Sequence, residues 1–460
     1  MGNLFSSKAP ICEKKKPEPI PKDLPEVPYA GSENPQENLA NLGKIKGPYY
    51  INQVMKETGL GVFKLRLFEE RIILADPIAI NVIYDPELTE KSVDFGLANV
   101  NGFTLKGYFP TATVNGDDKA TKKAGMWKIL SMAEEKYGND GLYKILKKHW
   151  ESVLPLIKDE ETNVDNLIDV VTVKTLTEFF FDKAFDLDLK TFLVWFFKGL
   201  TPKSTPGLEL DDVGKQVTEQ MYGYLNSTPW AQNVLPELLK ADCRDAETLK
   251  SEALFFAFVF SAFGLKSGLS SIIPLFLNLD DETRNKILEE VDAFNQDDGK
   301  NMDEKLKAFD VTDRFATEVF RYLPPVLQVQ GRAKKDFVLN SLKGKYLVKK
   351  GSYMTGYSYG AQRNPNAVRC PYQFTTTGDQ KHIKENFFAF GGPHNQEPQN
   401  DNRKCLGQYI SLNMTKMFVA LFARCEIEVV SSLKFTEANP NRVIASDEPL
   451  RVSKFECPHK

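Results

Sequence analysis

The stretch FFAFGGPHNQEPQNDNRKCLGQ, residues 387–408, decides how this chain reads. It runs straight into an amphipathic segment, YISLNMTKMFVALFARC, residues 409–425, so a loop of glycines, prolines and amides delivers one cysteine, Cys405, to a helix start. Free backbone N–H groups and the positive end of the helix dipole favour a thiolate there, and a thiolate can ligate a metal. Ahead of it, Phe388, Phe390, Gly391 and Gly392 supply aromatic surface and bare backbone. A flat, apolar cofactor such as heme needs both for close approach. On these residues alone, a structural cysteine buried at a helix start is an equal reading, because cysteine often behaves as a small hydrophobe.

Composition narrows the classes. Of 460 residues, 42% are hydrophobic and 32 are phenylalanine, enough to bury a large core and still line an apolar pocket. The net charge of -3, with both signs interleaved, gives no electrostatic case for nucleic-acid binding. Six cysteines are scattered without close spacing and no secretory signal precedes them, which predicts a reducing compartment and no disulfide framework. Four histidines and no C-x-x-C pair argue against a zinc site. His394 reads as a polar loop residue, and Cys457 with His459 as a plain tail.

The amino terminus, MGNLFSSKAPICEKKK, places Gly2 and Ser6 in the arrangement that N-myristoyl transfer reads. Cys12 offers a palmitoylation site and Lys14, Lys15 and Lys16 a basic patch for anionic lipid, so an acylated terminus would meet a membrane surface. A disordered polar tail fits equally well, and the proline-rich run at residues 17–31 supports a stiff linker. No apolar run of about 18 residues occurs here, so no membrane-spanning anchor is expected and the location is read as cytoplasmic, with lipidation the one route to a membrane. These readings divide the chain into a flexible, acylatable tail, residues 1–35, and a single catalytic domain, residues 36–460.

Beyond the tail, VFKLRL and RIILADPIAINVIYD read as strands with a short helix after Asp76. Residues 99–117 form a turn-rich loop across Pro110. Residues 119–157 then carry apolar side chains at helical spacing, interrupted at 137–141, and further helical patterns cover 163–185, 189–199, 213–239 and 245–264. Residues 252–274, EALFFAFVFSAFGLKSGLSSIIP, are apolar all round, the mark of a helix running through a core. Its isolated polar group, Ser261, either bonds back to the preceding turn or faces a pocket. Residues 309–322 place Glu318 and Arg321 one helical turn apart ahead of Pro324 and Pro325, which on spacing alone is a surface ion pair. Alternating segments follow at 326–339 and 345–359, with more strand pattern at 425–435. The fold class is therefore mainly α with a smaller antiparallel β region.

Together these residues resemble a cytochrome P450, specifically the branch of plant allene oxide synthases, hydroperoxide lyases and epoxyalcohol synthases. The likeness covers nearly everything after about residue 35. It rests on EVFRYLPPVLQVQGRAKKDF, residues 318–337, where E-x-x-R precedes Pro-Pro-Val and Gly-x-Ala, and on the long interval from Gly392 to Cys405. The loop GFTLKGYFPTATVNG, residues 102–116, is similar to that branch's amino-terminal substrate loop.

The resemblance implies a cytochrome P450 fold around a buried heme b, with Cys405 as the axial thiolate and Gly392, Pro393 and Gly407 in the heme environment. Glu318 and Arg321 would lock the core beneath the heme, and Ser261 would be the catalytic group on the distal helix. Thr104, Leu105, Phe263, Pro325 and Val326 would line a pocket for a polyunsaturated fatty-acid hydroperoxide. No obligatory reductase follows, because a hydroperoxide brings its oxygens already reduced to the peroxide level. Three products stay open: allene oxide, epoxyalcohol and chain-cleaved aldehyde, with the last two favoured. A reductase-dependent monooxygenase and a non-enzymatic heme-binding lipid sensor are the alternatives. Two departures stand out. The plant enzymes usually carry asparagine where Ser261 falls, and CPYQF, residues 370–374, lacks the expected arginine, which leaves the third partner of Glu318 and Arg321 unidentified.

Overall fold

A computed structural model of the chain describes residues 20–21, 23–44, 47–91, 104–108, 111, 114–157, 162–199, 210–241, 244–297, 299–365, 371–377, 380–433 and 449–458. The acylation pattern at Gly2, with Ser6, Cys12 and Lys14 to Lys16, lies outside the described residues. So do Cys243, Cys370 and His459.

The strands are β1 (Tyr29–Ala30), β2 (Val62–Leu65), β3 (Arg71–Leu74), β4 (Thr89–Lys91), β5 (Val329–Ala333), β6 (Phe337–Ser341), β7 (Gly344–Val348), β8 (Tyr353–Gly356), β9 (Glu426–Val429) and β10 (Val452–Glu456). Six of them form one sheet in the order β1-β2-β3-β8-β5-β4. The sheet is mixed and not purely antiparallel: β1–β2 and β3–β8 run parallel, while β2–β3, β5–β8 and β4–β5 are antiparallel. Chain-neighbouring strands joined by tight turns must be antiparallel. The β3–β8 pair joins segments nearly 280 residues apart, and no local pattern sets its direction. Two further antiparallel pairs, β6–β7 and β9–β10, stand apart.

The folded part begins before residue 36. Val27 and Ala30 are buried and β1 pairs with β2, so the end of the proline-rich run belongs to the sheet. Helices Pro35–Lys44 and Gly47–Thr58 follow.

Helices make up most of the remainder. Helix Gly116–Val153 is a merger of two, kinked at Gly138, whose φ of 56° is open to glycine at little cost. Helix Val164–Phe181 starts on Asn163, whose side chain accepts from the Asp165 and Asn166 amides. The run expected over 213–239 is divided into Asp212–Asn226 and Leu235–Ala241 by a wider turn at Trp230–Val234.

The all-apolar segment is the middle of one helical run, residues 246–277. It is long and apolar enough to cross a membrane by composition, yet 85% of its most apolar window is buried within the protein, as a core helix should be. Its centre, Phe255–Phe263, winds as a π-helix. Such widened turns are rare and often accompany functional sites, because they turn successive side chains out of α register. Helices Val311–Tyr322 and Gln408–Phe422 pack beside it, with Phe315, Val319, Met414, Met417, Phe418 and Phe422 fully inside.

One sequence expectation is overturned. Cys425 and Cys457 are joined by a disulfide, with Cα atoms 4.0 Å apart, so they are neither free thiols nor a plain tail. Their separation of 32 residues hid the pairing. The β9–β10 register sets Glu426 opposite Glu456, which brings the residues just beyond that pair face to face. Closing a loop of that length stabilises by about 3–4 kcal/mol in the chain-entropy picture. Dithiothreitol should therefore lower the denaturation midpoint of the parent protein while leaving that of a Cys425→Ser, Cys457→Ser double variant unchanged.

Candidate functional site

Cys405 sits three residues ahead of helix Gln408–Phe422, at the wall of a cavity that encloses about 1260 Å³ of space, including the part open to solvent. Its thiol is free and faces that space. The backbone before it is drawn tight: the Cys405 amide donates to the Phe390 carbonyl at 2.8 Å, and the Gly407 amide donates to Sγ at 3.4 Å. Gly391 has φ 75°, and a Cβ there would lie 2.6 Å from the Arg403 carbonyl oxygen, so no other residue fits without moving the loop. Removal from bulk water pushes the Cys405 thiol above its ordinary value, while the Gly407 N–H, Lys123 and Lys404 favour the thiolate.

The cavity joins two kinds of surface. Met126, Leu176, Phe256, Leu265, Phe320 and Phe388 give an apolar side. The other side is basic, formed by Lys91, Lys119, Lys123, Arg403 and Lys404. Lys119 donates to the Asp401 and Asn402 carbonyls, both at 2.7 Å, and Lys123 to the Gln399 carbonyl at 2.6 Å and the Asn402 carbonyl at 2.9 Å. Being four residues apart, these lysines share one face of the long helix. Lys404 reaches the Gly392 and Pro393 carbonyls. Arg403 donates to the Ile83 and Thr89 carbonyls. Asn402 closes the loop from within, accepting from the Gln399 and Lys404 amides and donating to Glu397.

Burial, the largest cause for each, pulls Lys119, Lys123 and Lys404 down to about 8 and Arg403 down to about 10. No described residue lining the cavity is a carboxylate. Positive charge collected in a desolvated pocket without an anion is stabilised when an anionic group enters.

Beneath the cavity, Glu318 and Arg321 form a two-pronged ion pair with both contacts at 2.6 Å and each residue 1% exposed. It is a buried core pair, unlike the surface bridge that spacing alone suggests. The missing third partner is backbone. Arg321 donates to the carbonyls of Gln362, Pro371 and Gln373 at 3.0–3.1 Å, and the Thr375 amide donates to Glu318 at 2.9 Å. Main-chain groups carry no residue signature, so the absence of an arginine from CPYQF left the partner unreadable.

Gln362, unremarked in the sequence, ties this pair to the Cys loop. It is fully buried, donates to the Arg321 carbonyl at 2.8 Å and accepts from the Phe388 amide at 2.6 Å. Beside it Arg363 stacks on Tyr359 at 3.7 Å. A polar run, Gln362 to Asn364, at no more than 2% exposure was the available signal, but only burial distinguishes it from a surface loop.

The expected site residues separate into three groups. Cys405, Gly407, Pro325 and Val326 line the cavity together. Gly392 and Pro393 do not line it but accept the Lys404 ammonium behind the cysteine. Thr104 and Leu105 are completely buried outside the described lining: Trp195 donates to the Thr104 carbonyl and Ser251 to that of Leu105, so their turn is pinned to neighbouring helices. Ser261 and Phe263 fall in the π-helical segment, and their side chains lie outside the described residues.

With this geometry in hand, the comparisons agree. A cytochrome P450 family profile matches residues 265–450, which hold Glu318, Arg321 and Cys405. Over that span the chain is similar to the cytochrome P450 family. Among curated proteins the chain is 27% identical over 227 residues to a chloroplastic fatty acid hydroperoxide lyase from Solanum lycopersicum, 46% of this chain and 47% of that one. It is 33% identical over 122 residues to a chloroplastic allene oxide synthase from Linum usitatissimum, 25% of this chain and 23% of that one. The chain thus spans about half the length, or less, of the curated relatives it matches. Solved folds align far more widely. The ligand-free cytochrome P450 OleT superposes with a TM-score of 0.67 at 15% identity, covering 93% of this chain and 99% of that one. A retinoic-acid-bound cyanobacterial P450 superposes with a TM-score of 0.68 at 18% identity, covering 94% and 99%. These likenesses show the P450 fold.

A P450 fold implies a heme, and the residues present fit one: a soft sulfur donor, glycine-bared backbone at Gly391, an apolar wall and a basic rim lacking its own acid. Gln362→Leu should leave the Arg321 carbonyl and Phe388 amide unpaired, at about 1–3 kcal/mol each. Chemical denaturation should show that loss, and less heme should be retained. Gln362→Glu, which keeps the acceptor for Phe388, should recover part of both.

Proposed function

We propose that this P450 is a heme-thiolate enzyme, with Cys405 as the axial ligand, that rearranges polyunsaturated fatty-acid hydroperoxides without molecular oxygen or a reductase. Residues 36–460 act in this reading as one catalytic unit, to which the sheet residues from Val27 onward belong. The observation that carries it is the chemistry of the cavity wall: a sulfur donor, basic groups and an apolar face, with no carboxylic acid among its described residues. The helix segment 255–277 likewise contains no aspartate or glutamate.

Oxygen activation requires delivered protons as well as electrons, and an acid near the reacting centre is the usual donor. A hydroperoxide dispenses with that delivery. Bound against Cys405, a heme would supply the electron push that breaks the peroxide O–O bond. The protein's share is then position and dryness. Met126, Leu176, Phe256, Leu265, Pro325 and Val326 hold an acyl chain by burying it. The tight Phe390 to Gly407 backbone keeps the sulfur in place with little reorganisation.

The inward commitment of the basic residues supports independence from a reductase. Lys119, Lys123, Arg403 and Lys404 are held by backbone carbonyls around the Cys loop, so they do not form an outward basic surface for an acidic electron donor. The names of the matched relatives, a fatty acid hydroperoxide lyase and an allene oxide synthase, point to the same substrate class.

Purified protein loaded with heme should consume the conjugated-diene absorbance of a polyunsaturated fatty-acid hydroperoxide with neither NADPH nor reductase present. Mass spectrometry of that reaction separates allene oxide, epoxyalcohol and aldehyde products. Turnover that appears only when both are added would establish a monooxygenase instead, and a heme spectrum with no loss of diene absorbance would establish a lipid sensor.

A further inference from the structure

Glu252 is 1% exposed on helix Ala246–Leu254, and it is the one acid in residues 252–277 of the apolar core run. The Tyr108 hydroxyl donates to its Oε2 at 2.8 Å, and Arg244 donates to both carboxylate oxygens, at 2.8 and 3.3 Å. A carboxylate buried this deeply is tolerable only while such donors hold it. The cluster lies against the long helix Gly116–Val153 at Gly125. A Cβ there would collide with Glu252 Oε1 and lie 2.6 Å from the Arg244 guanidinium, so the glycine's missing side chain is what admits the pair. Lys122, one turn earlier on that helix, stands over the Tyr108 ring, 5.0 Å from its centroid.

Tyr108, Gly125, Arg244 and Glu252 lie outside the described cavity lining, yet they stand directly behind it. Gly125 immediately precedes Met126, and Glu252 lies four residues before Phe256; both Met126 and Phe256 line the apolar side. The helix that carries Glu252 also holds the turn at 104–108. Ser251 donates to the Leu105 carbonyl, and Glu247 lies 3.5 Å from the Lys106 ammonium. An exposed ion pair such as Lys106–Glu247 contributes little, whereas a buried hydroxyl bonded to a carboxylate is a strong attachment. Tyr108 is therefore the anchor of the turn.

We propose that Glu252 is a positioning residue for the apolar side of the cavity. Through Tyr108 it fixes the 104–108 turn, and with Arg244 it fixes the long helix at Gly125, so the separation of Met126 and Phe256 is set from behind. Its carboxylate touches no substrate. It acts as the hub because two segments far from it in sequence, the turn and the long helix, meet at its oxygens. The role rests on the fatty-acid reading above, since it is an acyl chain that this spacing would fit.

The test uses heme-loaded full-length protein carrying either Tyr108→Phe or Gly125→Ala. The first removes a single hydroxyl; the second pushes a methyl group into the carboxylate while raising helix propensity. Three quantities are read at a temperature where each variant is fully folded by its melting curve: KM and kcat for a polyunsaturated fatty-acid hydroperoxide, calorimetric affinity for linoleic acid, and heme content. Both variants should show KM about fivefold or more higher with kcat within about twofold of the parent, linoleic acid bound more weakly by the same factor, and heme content unchanged. A lower melting point with parental KM and parental linoleic affinity would overturn the role and leave the cluster a matter of stability alone. Loss of heme with unchanged linoleic affinity would overturn it too. If the parent turns over no hydroperoxide without a reductase, the hydroperoxide reading fails by itself, and linoleic affinity in the same three proteins still decides the role of Glu252. A parent that binds no linoleic acid overturns both.

Discussion

Two opposite charges held away from water govern the lower half of this molecule. Glu318 and Arg321 are each 1% exposed, so neither is tolerable without the other, and removing one partner of such a pair costs about 3–5 kcal/mol. Their remaining hydrogen-bonding capacity must also be met. It is met by the main chain at Gln362, Pro371, Gln373 and Thr375, which means that the ion pair dictates where a loop distant in sequence runs. Through Gln362 the same demand passes to Phe388, and from the Phe390 carbonyl to the amide of Cys405. The sulfur is thus positioned by a chain of satisfied polar groups, starting one helix away.

Above that base the electrostatics change character. Lys91, Lys119, Lys123, Arg403 and Lys404 gather around one cavity with backbone carbonyls for partners and no cavity-lining carboxylate among the described residues. Carbonyl dipoles offset part of the desolvation cost of an ammonium or guanidinium group but not its charge, which is why burial lowers these basic groups. This composition suits the pocket to an anionic cofactor such as the heme that a P450 fold implies.

The extended Cys loop serves both halves. Its carbonyls receive Lys119, Lys123 and Lys404, its Asn402 side chain closes it from inside, and its Gly391 gives the sharp turn that lets Cys405 approach the helix start. The residues between Gly392 and Cys405 would ordinarily cost chain entropy on a surface. Here they are offset by bonds to groups that would otherwise be buried without partners.

The order of residues by itself determined the parts whose physics is local. Helical periodicity at 163–185, 189–199 and 309–322, the all-apolar core helix, and a cysteine delivered by a glycine-rich loop to a helix start all follow from spacing and side-chain type, and all are present. The mainly α fold with a smaller β region was legible for the same reason. Tertiary structure alone decided whatever depends on contacts between distant segments. The parallel β3–β8 pairing, the Cys425–Cys457 bond, the burial that turns Glu318 and Arg321 from a surface bridge into a core pair, and the backbone partners of Arg321 carry no local signature. The pinning of the Thr104 and Leu105 carbonyls by Trp195 and Ser251 is likewise tertiary, because a turn's burial is set by which helices close over it.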